Sequence, residues 1–310
     1  MIVAVVGLGA VGRETAKLLA ARGDEARLVQ RRAPAALPDG ARFAAADVLD
    51  RDSLRAACQG AGALVCCIGF PYDSRVWETS WPRAMANMLD VCAEQGARFV
   101  FADNLYMYGP QDAPLVEDMP LTDYGRKPRL RAAITRQWIE AHKAGRAEAV
   151  AVRASDFHGP DVATSVLSEF GVKRLVAGKP ALVPYSPDHP HDFTYVPDFA
   201  RALTALLDAP SDAYGQAWHA PNAPTQTLRQ LLARAAELIG TPLRMTVLPR
   251  VATAFLGLFD RTIYELAEMR FQTDRPYHVD SGKFTRRFAI APTSFDDGLR
   301  ATIDACRAAR

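Results

Sequence analysis

The chain has 310 residues, enough for one large domain or for a core domain with a smaller appendage. Apolar residues make up 49% and charged residues 23%, as in ordinary globular proteins, and a net charge of +2 is too balanced to point to a nucleic-acid surface. The five cysteines (Cys58, Cys66, Cys67, Cys92 and Cys306) form no CxxC pair, and their odd number and apolar neighbours lead one to expect reduced thiols in a cytoplasmic protein rather than a disulfide framework. No segment reaches the roughly 20 apolar residues of a membrane span. The apolar opening 1–6 lacks a basic leader and runs straight into glycines, so it reads as a strand, not a signal peptide.

In chain order, the first half alternates short β-rich runs with helical stretches. Strands are expected at 2–6, 26–30, 42–45, 63–68, 98–101 and 147–153, as Val, Ile, Ala and Phe runs without polar alternation. Such runs suit a parallel sheet covered on both faces. Helices are expected around 13–22, 52–58, 82–95 and 130–143, several closed by a glycine (Gly23, Gly60, Gly96, Gly145). This alternation predicts right-handed βαβ units and an α/β fold of Rossmann type, a doubly wound parallel sheet. Beyond about residue 160 the pattern loosens. Segment 178–191 is proline-rich and reads as a loop, 199–207 returns as helix, and helices at 228–239, 252–268 and 295–308 are separated by proline-containing connectors. The expected organisation is a core domain over 1–160 that also takes 191–224, plus a smaller, mostly helical C-terminal lobe from 161–190 and 225–310.

Gly7-Leu8-Gly9-Ala10-Val11-Gly12 is a GxGxxG placed directly after a strand and directly before a helix. In that context Gly7 allows a tight turn, Gly9 lets the backbone approach a pyrophosphate, and Gly12 lets the helix pack on the strand. The phosphates then meet the free N–H groups of Ala10, Val11 and Gly12 at the helix N-terminus. The core domain is thereby read as dinucleotide-binding, which leaves the lobe for a substrate. The second strand ends Leu28-Val29-Gln30-Arg31-Arg32. It offers no carboxylate for a ribose 2′-hydroxyl, whereas Arg31 and Arg32 can grip a 2′-phosphate bidentately. NADP(H) is therefore expected over NAD(H), the alternative being two arginines that merely solvate a loop. Asp47 and Val48, after the third strand, are placed to meet the adenine, unless Asp47 only caps its loop.

Further motifs carry a resemblance to the extended and atypical short-chain dehydrogenase/reductases, the NAD(P)-dependent epimerase/dehydratase-like proteins, over nearly the whole chain. Cys66-Cys67-Ile68-Gly69 is similar to their strand end beneath the nicotinamide ribose, which adds Gly69 to the cofactor residues. Asn87 matches a position often held by a structural asparagine. The stretch from Phe101 to Pro110 resembles their SSxxVYG strand end, and Arg153 to Pro160 their RxxxxYGP segment. Residues 191–200 resemble the stretch that returns the chain to the core, and Pro292-Thr293 with Gly298-Leu299 resembles the C-terminal ending. The resemblance also implies a homodimer.

Two departures stand out. The glycine loop is one residue shorter than the usual GxxGxxG of these proteins. Their Tyr-x-x-x-Lys pair, in which the lysine lowers the tyrosine's pKa and bonds the nicotinamide ribose, reads Tyr124-Gly-Arg-Lys-Pro128 here, with the lysine one residue early at Lys127. Pro128 suits a first helical turn and disfavours helical backbone before it, so helix is expected from Pro128 with Lys127 left in the loop. The partner serine falls on Asn104, whose amide can donate to a carbonyl, or on Asp103.

The resemblance thus implies an NADP(H)-dependent oxidoreductase or epimerase acting on a carbonyl or alcohol of a small molecule. Tyr124 is the expected acid/base, Lys127 its activator and Asn104 the holder of the substrate oxygen. The alternative is a non-catalytic NAD(P)(H)-binding sensor or scaffold with a degenerate site. Tyr106 and Tyr108 are stand-ins for Tyr124, although Tyr108 matches a position that is usually structural. The run Arg126, Lys127, Arg129, Arg131 either meets an anionic substrate or the cofactor phosphates, or solvates a helix start. Tyr72, Trp77 and Trp81, in an expected loop over 70–81, either line a pocket or simply pack. His158, His189, His191 and His219 lack metal-ligand spacing, so no metal is expected, though His158 and His191 are candidate polar groups near a substrate. No Gly-x-Ser-x-Gly elbow occurs, and neither nucleic acid nor membrane is an expected partner.

Overall fold

A computed structural model describes residues 1–251 and 257–309, which divide into two compact units. The first comprises Met1–Gly109, Pro120–Arg153 and Phe199–Ala220. Its strands are β1 (Ile2–Val6), β2 (Glu25–Gln30), β3 (Arg42–Ala45), β4 (Ala63–Cys66), β5 (Arg98–Asp103) and β6 (Ala149–Arg153), joined by the edge strand Ala217–His219. All seven run parallel, in the order Ala217–His219, β6, β5, β4, β1, β2, β3. The chain therefore runs outward from β1 on one side, returns to β4 and runs outward on the other. The reversal lies between β1 and β4, and ligands of such sheets bind beyond the carboxyl ends of the strands at that point. The Rossmann-type doubly wound sheet is as the sequence predicts.

Helices α1 (Ala10–Ala21), α2 (Arg51–Ala57), α3 (Ser74–Gln95) and α4 (Lys127–Lys143) accompany the sheet. Phe99 and Phe101 of β5, Met85 and Leu89 of α3 and Trp138 of α4 are buried in one apolar cluster. Helix α3 departs from expectation. It begins at Ser74, capped by the Asp73 carboxylate that accepts from Arg75 N–H at 2.9 Å, and it runs straight through Pro82. The supposed loop 70–81 is thus helical from its fifth residue. Trp77, Trp81, Met85 and Met88 recur at helical spacing and are all buried, and this burial, worth about 1.5–3 kcal/mol per large side chain, outweighs the roughly 3 kcal/mol that an interior proline costs.

The second unit comprises Pro110–Met119, Ala154–Asp198 and Pro221–Arg310. Its boundary differs from the one expected at 160, because Asp156–His158 pairs with Phe193–Tyr195 in a separate two-stranded sheet and both segments go with it. The proline-rich 178–191 is likewise not all loop. Ala181–Val183 pairs with Met245–Val247, and Pro190–His191 with Gln226–Thr227. Helix Leu228–Ile239 carries a capping box between Thr227 and Gln230 and ends on the left-handed Gly240. Its Leu228, Leu231, Leu232 and Ala235 share an apolar core with Leu299 and Ile303 of helix Phe295–Ala308. The expected helix 252–268 falls partly on 252–256, outside the described residues; beyond them Arg261–Leu266 is helical. No described helix is long and apolar enough to cross a membrane.

Helix Gly282–Phe288 ends on Ala289, an exposed residue with φ of 54° in the left-handed region. A Cβ is disfavoured there by about 1–2 kcal/mol. Ala289→Gly should therefore stabilise the protein, by about 0.5–1 kcal/mol after the extra entropy of an unfolded glycine is counted. Urea denaturation reads the change directly. An unchanged or lower midpoint would contradict the strain.

Candidate functional site

β1 delivers the chain into Gly7, whose φ is +97° and where a Cβ would stand 2.8 Å from Cys67 O. Gly12 is tighter still, its Cβ position lying 2.0 Å from Gly7 O. Around Gly9 no atom lies within 4 Å of the Cβ position. The turn and the helix packing thus demand Gly7 and Gly12, while nothing in the surrounding chain demands Gly9. Gly9 caps α1 without a side-chain hydrogen bond, and the first turn holds no acid. The first N–H of the helix to find a backbone acceptor is that of Arg13, on Gly9 O at 3.0 Å, so those of Ala10, Val11 and Gly12 are left at a helix N-terminus that favours an anion. The open space at Gly9 and the uncapped terminus fit a dinucleotide pyrophosphate. Gly69, just beyond β4, has the same open Cβ position.

At the end of β2, Arg31 and Arg32 are exposed and form no ion pair with a described residue. Gln30 pins the turn by donating from Nε2 to Arg32 O at 2.7 Å. Asp47 accepts from Leu49 N–H on Oδ1 at 2.9 Å, a loop-capping bond. Val48 O accepts from Asn87 Nδ2 at 2.9 Å, so Asn87 ties α3 to the β3 loop.

The catalytic positions are arranged less simply. Lys127 is not in a loop: it is the first residue of α4, with Pro128 second, and it is fully buried. Its Nζ lies 4.9 Å from the centre of the Tyr72 ring, a cation–π contact that its buried stem extends and that outweighs the reluctance of a residue before proline to turn helical. Tyr124 lies three residues earlier, 45% exposed, in the turn where its carbonyl accepts from Arg129 N–H. Asn104 Oδ1 accepts from Tyr106 N–H at 3.1 Å, which fixes the amide and leaves Nδ2 without an acceptor among the described residues.

Asp103 is committed elsewhere. Its carboxylate is 1% exposed and ion-paired with Arg131, and its Oδ2 lies 3.5 Å from Arg153 Nε. Arg131 stands one turn after Lys127 on the same face of α4, its guanidinium 4.4 Å from the Trp81 ring and 5.0 Å from that of Phe101. Arg153 donates to the Tyr108 hydroxyl at 2.5 Å and to Thr135 Oγ1 at 3.3 Å. The Tyr108 hydroxyl also lies 2.9 Å from His219 Nε2. Tyr108 is therefore a buried structural tyrosine. The cation run resolves into two inward residues (Lys127, Arg131), an exposed Arg126 paired with Glu78 and an exposed Arg129. Of the aromatics, Trp77 and Trp81 are buried in the first unit, Trp77 stacked on Tyr106 at 6.3 Å. This charge network is what sequence reading missed; its one local signal is the four-residue spacing of Lys127 and Arg131.

Other candidates are inert. Burial pushes the Cys66 thiol up to about 12 and Cys58 to about 11. Burial between Tyr195 and Phe295 pushes His158 down to about 3, so it packs as a neutral ring. Among the described residues no three His, Cys, Asp or Glu side chains gather as a metal site would require.

Comparison with known proteins places this geometry. No curated protein matches the chain. Solved structures are similar over essentially its whole length. UDP-glucuronic acid 4-epimerase from Bacillus cereus, in complex with UDP-glucuronic acid and NAD, is 16% identical with a TM-score of 0.80, covering 100% of both chains. UDP-glucose 4-epimerase from Thermus thermophilus, in complex with NAD, is 20% identical with a TM-score of 0.78, again covering 100% of both. dTDP-glucose 4,6-dehydratase from Bacillus anthracis, in complex with NAD, is 13% identical with a TM-score of 0.79, covering 99% of this chain and 97% of that one. These likenesses establish the fold. The NAD dependent epimerase/dehydratase family itself matches residues 3–219, more than half of the chain. The chain is an enzyme of the NAD dependent epimerase/dehydratase family.

Proposed function

We propose that the chain is an NADP(H)-dependent oxidoreductase or epimerase acting on a carbonyl or alcohol carbon of a small, anionic molecule. The observation that carries the cofactor reading is the pair of exposed, unpaired guanidiniums of Arg31 and Arg32 at the end of β2, where no carboxylate stands to hold a ribose 2′-hydroxyl. Gly9 and the N–H groups of Ala10, Val11 and Gly12 would hold the pyrophosphate, Asp47 and Val48 the adenine, and Gly69 and Lys127 the nicotinamide ribose. The structures with NAD just described belong to other proteins. The test is a fluorescence titration with NADPH and with NADH, on the protein and on its Arg31→Ala/Arg32→Ala variant. NADPH should bind at least tenfold tighter, about 1.4 kcal/mol, and the variant should lose that margin. Equal affinities in the parent protein would return the cofactor to NAD(H).

When bound, the nicotinamide supplies hydride exchange with the substrate carbon. Asn104 donates from Nδ2 to the substrate oxygen, and its Oδ1, held by Tyr106 N–H, keeps it from rotating away. Tyr124 gives or takes the proton on that oxygen. Lys127, buried at the start of α4 three residues after Tyr124, is its proposed partner. The second unit, with 161–190 and 225–310, carries the substrate side. Tyr124→Phe should lower turnover by about 100-fold or more while NADPH affinity stays within about twofold. Full turnover in that variant would move the acid/base role to another group.

A further inference from the structure

Asp103, the last residue of β5, stands outside the proposed chemistry, yet its carboxylate does more than pair with arginine. The side chain is 1% exposed. Its Oδ1 accepts from the neighbouring Asn104 N–H at 2.8 Å, and the same oxygen takes the guanidinium of Arg131. Its Oδ2 faces Arg153 Nε at 3.5 Å. Asn104 is thereby held at two points. Its backbone N–H is bound to Asp103, and its Oδ1 accepts from Tyr106 N–H at 3.1 Å. With both fixed, the direction left to its Nδ2 is set by the end of β5 before any substrate arrives.

The network has a second end. Arg131 lies one turn after Lys127 on α4, so the two share a helix face. The Asp103–Arg131 pair therefore ties the end of β5, which carries Asn104, to the helix that carries Lys127. Thr135, one further turn along α4, accepts on Oγ1 from Arg153 at 3.3 Å, and Arg153 closes the network from β6. Stability alone does not account for such an arrangement, because a buried ion pair contributes little relative to apolar side chains of the same volume. What it supplies is one fixed geometry. A hydrogen bond to a carboxylate is also shorter and stronger than one between neutral groups.

We infer that Asp103, clamped by Arg131, is a positioning residue that aims the Asn104 amide and sets its place relative to Lys127. The role rests on the proposed part of Asn104 as holder of the substrate oxygen. The chain has three asparagines (Asn87, Asn104 and Asn222), so isotope labelling of asparagine nitrogen alone gives an NMR spectrum in which each is followed separately. Asn104→Gln identifies the Asn104 peaks, and thermal melts establish which variants fold. In Asp103→Asn the backbone amide proton of Asn104 should move upfield as its charged acceptor becomes neutral. Its side-chain amide peaks should move with it, while those of Asn87 stay. Thr135→Val, which loosens the same network at Arg153 alone, should leave the Asn104 peaks in place. If Asp103→Asn does not fold, Arg131→Met poses the question from the other partner, and both sets of Asn104 peaks should shift. Peaks of Asn104 that keep their positions in a folded Asp103→Asn or Arg131→Met would overturn the positioning role and leave a structural ion pair. So would peaks that move as far in Thr135→Val. The underlying role of Asn104 is read separately, by NADPH-dependent reduction of phenanthrenequinone: full turnover in Asn104→Ala would remove Asn104 from the reaction whether or not its peaks move.

Discussion

Asp103→Ala should destabilise the first unit by about 3–5 kcal/mol, the cost of stripping the carboxylate from a buried ion pair and leaving its cations behind. The geometry makes the loss severe. Arg131 and Arg153 are each 2% exposed, and Asp103 lies within ion-pair reach of both. The aromatic faces of Trp81 and Phe101 soften the field on Arg131 but supply no counter-charge. Asp103→Asn, which keeps the shape and one acceptor oxygen, should lose less. Urea denaturation of the two variants beside the parent separates charge from shape. A loss below about 1 kcal/mol in Asp103→Ala would mean that the guanidiniums draw their balance from another group.

The second large effect separates two glycines of one loop. Gly12→Ala places a methyl 2.0 Å from a backbone oxygen that cannot swing aside, and should cost more than about 3 kcal/mol or abolish soluble expression. Gly9→Ala places its methyl in open space with φ at −75°, an ordinary backbone for alanine. It should remain folded within about 1 kcal/mol of the parent, yet lose at least tenfold in NADPH affinity, because the methyl stands where the pyrophosphate must approach. Thermal melts and fluorescence titrations on both variants check the pair. NADPH binding that survives Gly9→Ala would show that the cofactor phosphates lie elsewhere.

Much of the sheet was legible because each strand is a short apolar run needing no partner to be recognised. β1, β3 and the glycine turn between β1 and α1 fall where local pattern puts them. What escaped was non-local. The expected helix began only at residue 82, and it is the common burial of Trp77 and Trp81 with Met85 and Met88 that carries it back through Pro82 to Ser74. Lys127 reads as a loop residue until Tyr72, more than 50 positions earlier, is seen to cover its ammonium. Asp103 sits beside Asn104 at the position that the family resemblance offered to a serine, and nothing near it in sequence reveals two arginine partners arriving from α4 and β6. The cofactor loop was readable for the opposite reason, since turn, strand and helix are contiguous there.

The discontinuity of the two units has a consequence for how the protein comes into being. The chain passes from one unit to the other five times. The central sheet gains its last strand, Ala217–His219, only after the excursion Ala154–Asp198 has been made. A ribosome therefore cannot release a finished nucleotide-binding half ahead of the rest, as it does for domains strung end to end. Until residue 219 emerges, β6 presents a bare edge, open to pairing with other chains.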